Sequence, residues 1–174
     1  LDDVLVNFDG ITYAKGASVL RQLVAWVGQE NFMAGVRAYI AQHAWGNTEL
    51  PDLMSELEAA SGRDLSEWTR VWLETSGVNT LRTEVETDEA GTITALRLRQ
   101  SAPDGSPSAP GDDVLRPHRL AVGFYDVDEA TGRLTRTERF ELDVAGEVTE
   151  VAEAVGRRRP AVILPNDDDL AYAK

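Results

Sequence analysis

"VWLETSGVNTLRTEVETDEAGTITALRLRQ", residues 71–100, changes its hydrophobic period in the middle, and that change decides the fold. Up to about Gly77 the apolar residues recur at helical spacing, with Val71 and Trp72 completing a face begun at Leu65 and Trp68. From Leu81 they alternate with polar residues, as in a strand whose two faces meet different surroundings. A helical part is thus followed by a β part, with the boundary near Gly77 to Leu81.

Upstream, Tyr13, Ala17, Leu20, Val24 and Val27 form one stripe at i, i+4, i+7 spacing, and Gly28 is a natural stop. Gly16 weakens a helix interior by roughly 1 kcal/mol relative to Ala, so its expected use is close approach by a neighbouring backbone. A second helix runs from about Gln29 to His43 on Phe32, Val36, Tyr39 and Ile40, and Gly46 breaks it. In the third, Asn47 or Thr48 caps, Pro51 suits the first turn, and Leu50, Leu53, Met54 and Leu57 face inward. Asp64 with Glu67 resembles a capping box for the fourth. Trp26, Trp45, Trp68 and Trp72 are read as core anchors.

Downstream, "DEAGT" and "EATG" join two pairs of alternating segments as hairpins, while "EVTEVAEAV" and "AVILP" supply two more strands. "SAPDGSPSAPGDD" between the hairpins is too rich in Pro, Gly and Ser for regular structure. Six strands on this pattern predict a sandwich. The fold class is therefore α+β in two parts, an α-helical bundle segment over 1–78 and an all-β sandwich over 79–164, with 165–174 beginning a linker.

Composition narrows the function. Seventeen basic against thirty acidic residues give a net charge of -13, which opposes nucleic acid and anionic lipid as partners. Cysteine is absent, which removes disulfides, thiolate zinc sites and thiol nucleophiles and fits a cytoplasmic setting. No apolar run is long enough to span a membrane. Position 1 is Leu and the only methionines are Met33 and Met54, so the chain reads as an excised piece.

The chemistry-bearing residues are few. His43 and His118 form no His-x-x-x-His pair, and each is either a lone ligand or a histidine bonded to its surroundings. "NDDDL", 166–170, raises the question of calcium but lacks the Gly and distant Glu of an EF-hand loop, which favours a solvated turn. Arg157 to Arg159 are expected to make surface salt bridges rather than an anion site.

"FDGITYAKGASVLRQLVAWVGQENF" resembles the segment that follows the zinc site in the M1 family of metallo-aminopeptidases, the aminopeptidase N group. "RAYIAQHAWGNTELPDLMSELEAASGRDLSEWTRVWLETSGVNTL" is similar to the helical tail of its thermolysin-like catalytic domain. "RPHRLAVGFYDVD" through "RRRPAVILPNDDDLAYAK" is similar to its small β-sandwich domain, especially in actinobacterial members, and to the entry into a C-terminal helical domain. The resemblance implies a zinc enzyme that removes N-terminal residues from peptides, with the zinc bound by a His-Glu-x-x-His helix and a later Glu. None of those motifs occurs here, so no zinc is expected in this chain, and its missing partners would be the N-terminal part of the catalytic domain and the C-terminal helical domain. Tyr13-Ala14-Lys15-Gly16-Ala17 matches the family's Tyr-x-Lys-Gly-Ala stretch, so the resemblance makes Tyr13 the one catalytic residue present. A phenol suits the role, because it keeps its proton below a pKa of about 10 and can donate it to an oxygen on which charge develops. Alone, the chain is expected to be inactive. The alternative is a non-catalytic protein-interaction module with Tyr13 as core; a calcium-dependent adhesion-like module is a third reading.

Overall fold

The computed structural model describes residues 10–75, 77–102 and 114–174, and only the backbone of 10–12. It separates into two compact units, one ending at Glu74 and one beginning at Thr75. Four helices form the first: α1 (Gly10–Val27), α2 (Gln29–Gln42), α3 (Leu50–Ser61) and α4 (Ser66–Leu73). The "SAPDGSPSAPGDD" loop lies largely outside the described residues.

The buried row of α1 is not the one that begins at Tyr13. Val19, Leu23 and Val27, joined by Gln22, are buried, whereas Leu20 is exposed. Two rows compete on this helix. The two share Val27, and the packing of the helical unit takes in the row that runs through Val19 and Leu23. Gly16 also departs from expectation, since a Cβ there would meet nothing within 4 Å among the described residues.

Close helix approach occurs at Gly35 instead. A Cβ on Gly35 would lie 2.8 Å from Leu57 Cδ2 and 2.9 Å from the Glu56 carbonyl oxygen, so only glycine lets α2 and α3 meet this closely. Helix α3 is capped by Glu49 rather than by Asn47 or Thr48: the Glu49 amide donates to Asp52 Oδ2 at 2.8 Å and the Glu49 side chain accepts from the Asp52 amide. The reciprocal pair satisfies two donors that a single Asn or Thr cap would satisfy only in part.

The box expected at α4 is half formed. Asp64 Oδ1 accepts from the Ser66 amide at 2.8 Å, but Glu67 turns to Arg70 instead of back to the cap. Helix α4 stops at Leu73, short of Gly77. Leu65, Trp68, Val71 and Trp72 are buried as their spacing predicts, with the two indoles stacked at 5.8 Å. Trp26 is half-buried beneath the Arg63 guanidinium, 4.5 Å from the ring centroid.

Trp45 breaks the expectation that all four tryptophans are core. It sits at φ 66 in the turn after α2 and is fully exposed. The turn closes from the Gly46 amide to the His43 carbonyl, which carries the indole out of the helical packing.

The second unit holds β1 (Thr80–Thr87), β2 (Ile93–Ser101), β3 (His118–Val127), β4 (Leu134–Val144), β5 (Val148–Glu150) and β6 (Val162–Asp167). They form two antiparallel three-stranded sheets, ordered β1-β2-β5 and β4-β3-β6. Asp88 and Asp128 shape the two hairpin turns by accepting from amides two residues on, at 3.0 and 2.9 Å. Leu81, Leu96 and Leu98 from one sheet join Leu120, Val122, Phe124, Phe140 and Val144 from the other in one apolar cluster, which is what a sandwich requires.

"EVTEVAEAV" is a strand only to Glu150, and Ala152–Ala154 is a 3-10 turn. Val151 and Ala154, three apart, both reach the core, and a three-residue period allows that where a strand would not. Residues 165–174, expected to begin a linker, are tied into this unit. β6 continues through Asp167, Ala171 enters the core, and the Leu81 amide donates to the Lys174 carbonyl at 2.8 Å.

The two helical glycines give opposite expectations. Gly35→Ala should lower stability by about 1–3 kcal/mol through overpacking against Leu57 and Glu56. Gly16→Ala should be neutral or stabilising by up to ~1 kcal/mol. Urea denaturation followed by far-UV circular dichroism measures both, and equal effects would contradict the assignment of the close approach.

Candidate functional site

Tyr13 lies on the second turn of α1, in a stretch where 13–17 are all exposed, and its own exposure is 64%. The plain-core reading of this tyrosine therefore does not hold within the chain. From Val19 onward the same helix is anchored by Leu23 and Val27, so the phenol stands on the projecting end of an element whose other end is buried. Ser18 Oγ donates to the Ala14 carbonyl at 2.9 Å, which satisfies a backbone acceptor in the projecting turns. No acidic residue occupies the first turn, leaving the positive end of the 18-residue helix dipole uncompensated from within the helix.

The two histidines are far apart in role. His43 is the C-cap of α2, where its amide donates to the Tyr39 carbonyl at 3.1 Å and its ring lies 5.5 Å from the Tyr39 ring. His118 is fully buried at the start of β3, with Nε2 2.8 Å from Gln100 Oε1. Gln100 Nε2 in turn donates to the Gly146 carbonyl at 3.0 Å. Burial, followed by the nearby Arg116 charge, lowers the pKa of His118 to about 4. Arg116, itself buried, donates from Nη1 to Asn79 Oδ1 at 3.2 Å and from Nη2 to Thr75 Oγ1 at 2.6 Å. This set ties the entry to β1, the end of β2 and the entry to β3 together.

The acidic run "NDDDL" is occupied by the protein's own cations. Asp167 is buried rather than solvated, accepting from Tyr125 Oη at 2.7 Å and from Arg136 Nη1 at 2.8 Å. Burial pushes its pKa up, but the Tyr125 and Arg136 hydrogen bonds outweigh that and the net shift is downward. Asp168 accepts from Arg136 Nη1 at 3.1 Å and Arg139 Nε at 2.8 Å. Gly123 makes the seat possible, since a Cβ there would fall 2.6 Å from Asp167 Oδ2. Arg157 and Arg158 make the expected surface ion pairs, with Glu138 and Asp126 at 3.3 Å each.

The zinc that the resemblance implies finds no fit in these residues. The His118 ring is bonded to Gln100, and among the described residues no three His, Asp or Glu side chains come together as a metal set. Also among the described residues, no helix is long and apolar enough to cross a membrane.

A four-helix unit followed by two antiparallel sheets has counterparts among known proteins. Residues 2–72 match the peptidase family M1 domain. Across all 174 residues the chain is 62% identical to Aminopeptidase N of Streptomyces lividans. It is 33% identical over 144 residues to the mitochondrial Aminopeptidase 2 of Saccharomyces cerevisiae, covering 82% of this chain and 15% of that protein. Its fold is similar to that of Legionella pneumophila aminopeptidase A, solved in complex with aspartic acid, with a TM-score of 0.59 at 21% identity over 82% of this chain and 15% of that one. The chain belongs to peptidase family M1, in the aminopeptidase N group. It spans 20% of the length of the Streptomyces relative.

Of the sequence-based candidates, Tyr13 is presented outward on a helix, while His118 and Asp167 are parts of the β unit's interior. Trp45 was missed as a surface feature, because helical spacing shows where an apolar residue falls and not whether the following turn carries it outward.

His118 makes a pH prediction. Its folded pKa lies below the usual histidine value, so the unfolded state binds the proton more readily, and stability falls as pH drops from about 6.5 to about 4. The full loss is on the order of 3 kcal/mol. His118→Gln should flatten that slope in urea titrations across the window, and an unchanged slope would contradict the assignment.

Proposed function

We propose that this chain is part of a zinc-dependent aminopeptidase that removes N-terminal residues from peptides, and that Tyr13 is its hydrogen-bond donor to the peptide carbonyl oxygen in the transition state. The observation that carries the reading is Tyr13-Ala14-Lys15-Gly16-Ala17 on the projecting end of α1, with the phenol outward. Identity of 62% to an Aminopeptidase N along every residue supports the substrate class.

Zinc, held by residues outside this sequence, would supply the activated water. This chain's part is different. As water attacks the carbonyl, negative charge grows on the oxygen, and a neutral donor already in place stabilises that charge without reorganising. The phenol O–H donates that hydrogen bond. The N-terminal end of α1 adds a favourable partial positive charge on the same side of the helix as its projecting turns. The β unit has no chemistry to contribute by this reading: its buried polar groups hold strands and loops in register. The chain alone is inactive, and the protein works in the cytoplasm.

Two results are expected. In the intact parent, Tyr13→Phe lowers kcat by about 10²-fold or more, as loss of one oxyanion donor does elsewhere, with zinc content unchanged. Full turnover by the variant would remove Tyr13 from the chemistry. The purified 174-residue chain should not cleave an aminoacyl chromogenic substrate with zinc added, and measurable turnover would overturn its description as inactive.

A further inference from the structure

The turn after α2 is built in a way that the helical unit's own packing does not explain. Trp45 is exposed at 106% of its reference area and is held at φ 66, a backbone region that costs any residue with a Cβ and bulky ones most. Gly46 stands next to it and would take that conformation freely. The position therefore bears two costs at once, an indole in water and a left-handed backbone.

The turn is nevertheless well held. The Gly46 amide donates to the His43 carbonyl at 3.0 Å, Tyr39 Oη and Thr48 Oγ1 lie 2.6 Å apart across the turn, and the Tyr39 and His43 rings are in contact. Two further aliphatic side chains flank it, Ile40 at 60% exposure on the last turn of α2 and Leu50 at 47% on the first turn of α3. A rigidly presented indole with aliphatic neighbours is the composition of an anchor in a protein contact, where a large ring loses little conformational entropy on burial.

We propose that Trp45 is a docking anchor, and that its pocket belongs to the part of the same parent polypeptide that lies outside these 174 residues. The length of that remainder identifies the occupant. A relative 62% identical along the entire chain is spanned only to 20%, and Trp45 falls within residues 2–72, the stretch that matches the peptidase domain. The pocket is apolar, with an acceptor at its rim for the indole N–H. This rests on the reading of the chain as part of a longer peptidase.

The test is tryptophan-selective oxidation, read residue by residue by mass spectrometry, in this chain and in the intact parent. Trp68 and Trp72, buried in the chain, serve as internal references. Trp45 should react fast in the chain and at least ~10-fold more slowly in the parent, where reaction waits on local opening. Equal rates in the two proteins would overturn the proposal. Protection that appears in the chain alone and grows with its concentration would assign the anchor to a second copy and overturn it as well. So would protection in the parent only after a peptide is added. Peptidase assays on the same parent sample separate the two ideas, since a shielded Trp45 in an inactive parent sinks the enzymatic reading and leaves the docking anchor standing.

Discussion

Burial of Val19, Leu23 and Val27 is the constraint on which the functional reading depends. It anchors the later turns of α1, while every face of the helix over 13–17 is exposed. With that row inward, 13–17 project, and Tyr13 is carried outward on a helix whose far end cannot slide or roll without exposing three aliphatic side chains. A hydrogen-bond donor to a transition state must be in place before the charge develops, and a helix anchored at one end provides that placement.

The β unit presents the opposite economy of polar groups. Its buried His118, Gln100, Arg116 and Asn79 serve strand ends and loop entries, and Asp167 and Asp168 of its acidic run are paired with Arg136 and Arg139. Carboxylates that already hold guanidinium groups are poor candidates for a calcium site, which weakens the adhesion-like reading. Arg97 bridges Glu86 and Glu150 across the first sheet, and Arg99 bridges Glu84 and Glu147. Exposed pairs of this kind contribute little stability singly, but the Arg97 set joins β1, β2 and β5, and the Arg99 set joins β1, β2 and the turn before β5, so both favour one register.

The architecture was legible because period is a strong signal. The switch from 3.6 to 2 within residues 71–100 marks the passage from helices to strands, and the hairpin turns at Asp88 and Asp128 fall where the sequence puts them. What was not legible depends on neighbours. Two apolar rows on α1 satisfy the same spacing, and only the packing chooses between them. Gly16 and Gly35 are equivalent as letters, yet only Gly35 faces another backbone. Trp45 has the composition of core and the backbone angle of a turn. The Tyr-x-Lys-Gly-Ala match pointed to Tyr13, while the exposure that makes a catalytic role physically reasonable came from the fold.

Transition-state complementarity is the direct measure of the role assigned to Tyr13. In the intact parent, affinity for a tetrahedral phosphorus analogue of the scissile peptide would be compared with affinity for a product amino acid, in the wild type and in Tyr13→Phe. A donor that acts on the developing oxyanion should cost the variant affinity for the analogue in the same proportion as kcat/KM, with product affinity unchanged. Equal losses for both ligands, or no loss for the analogue, would contradict that role.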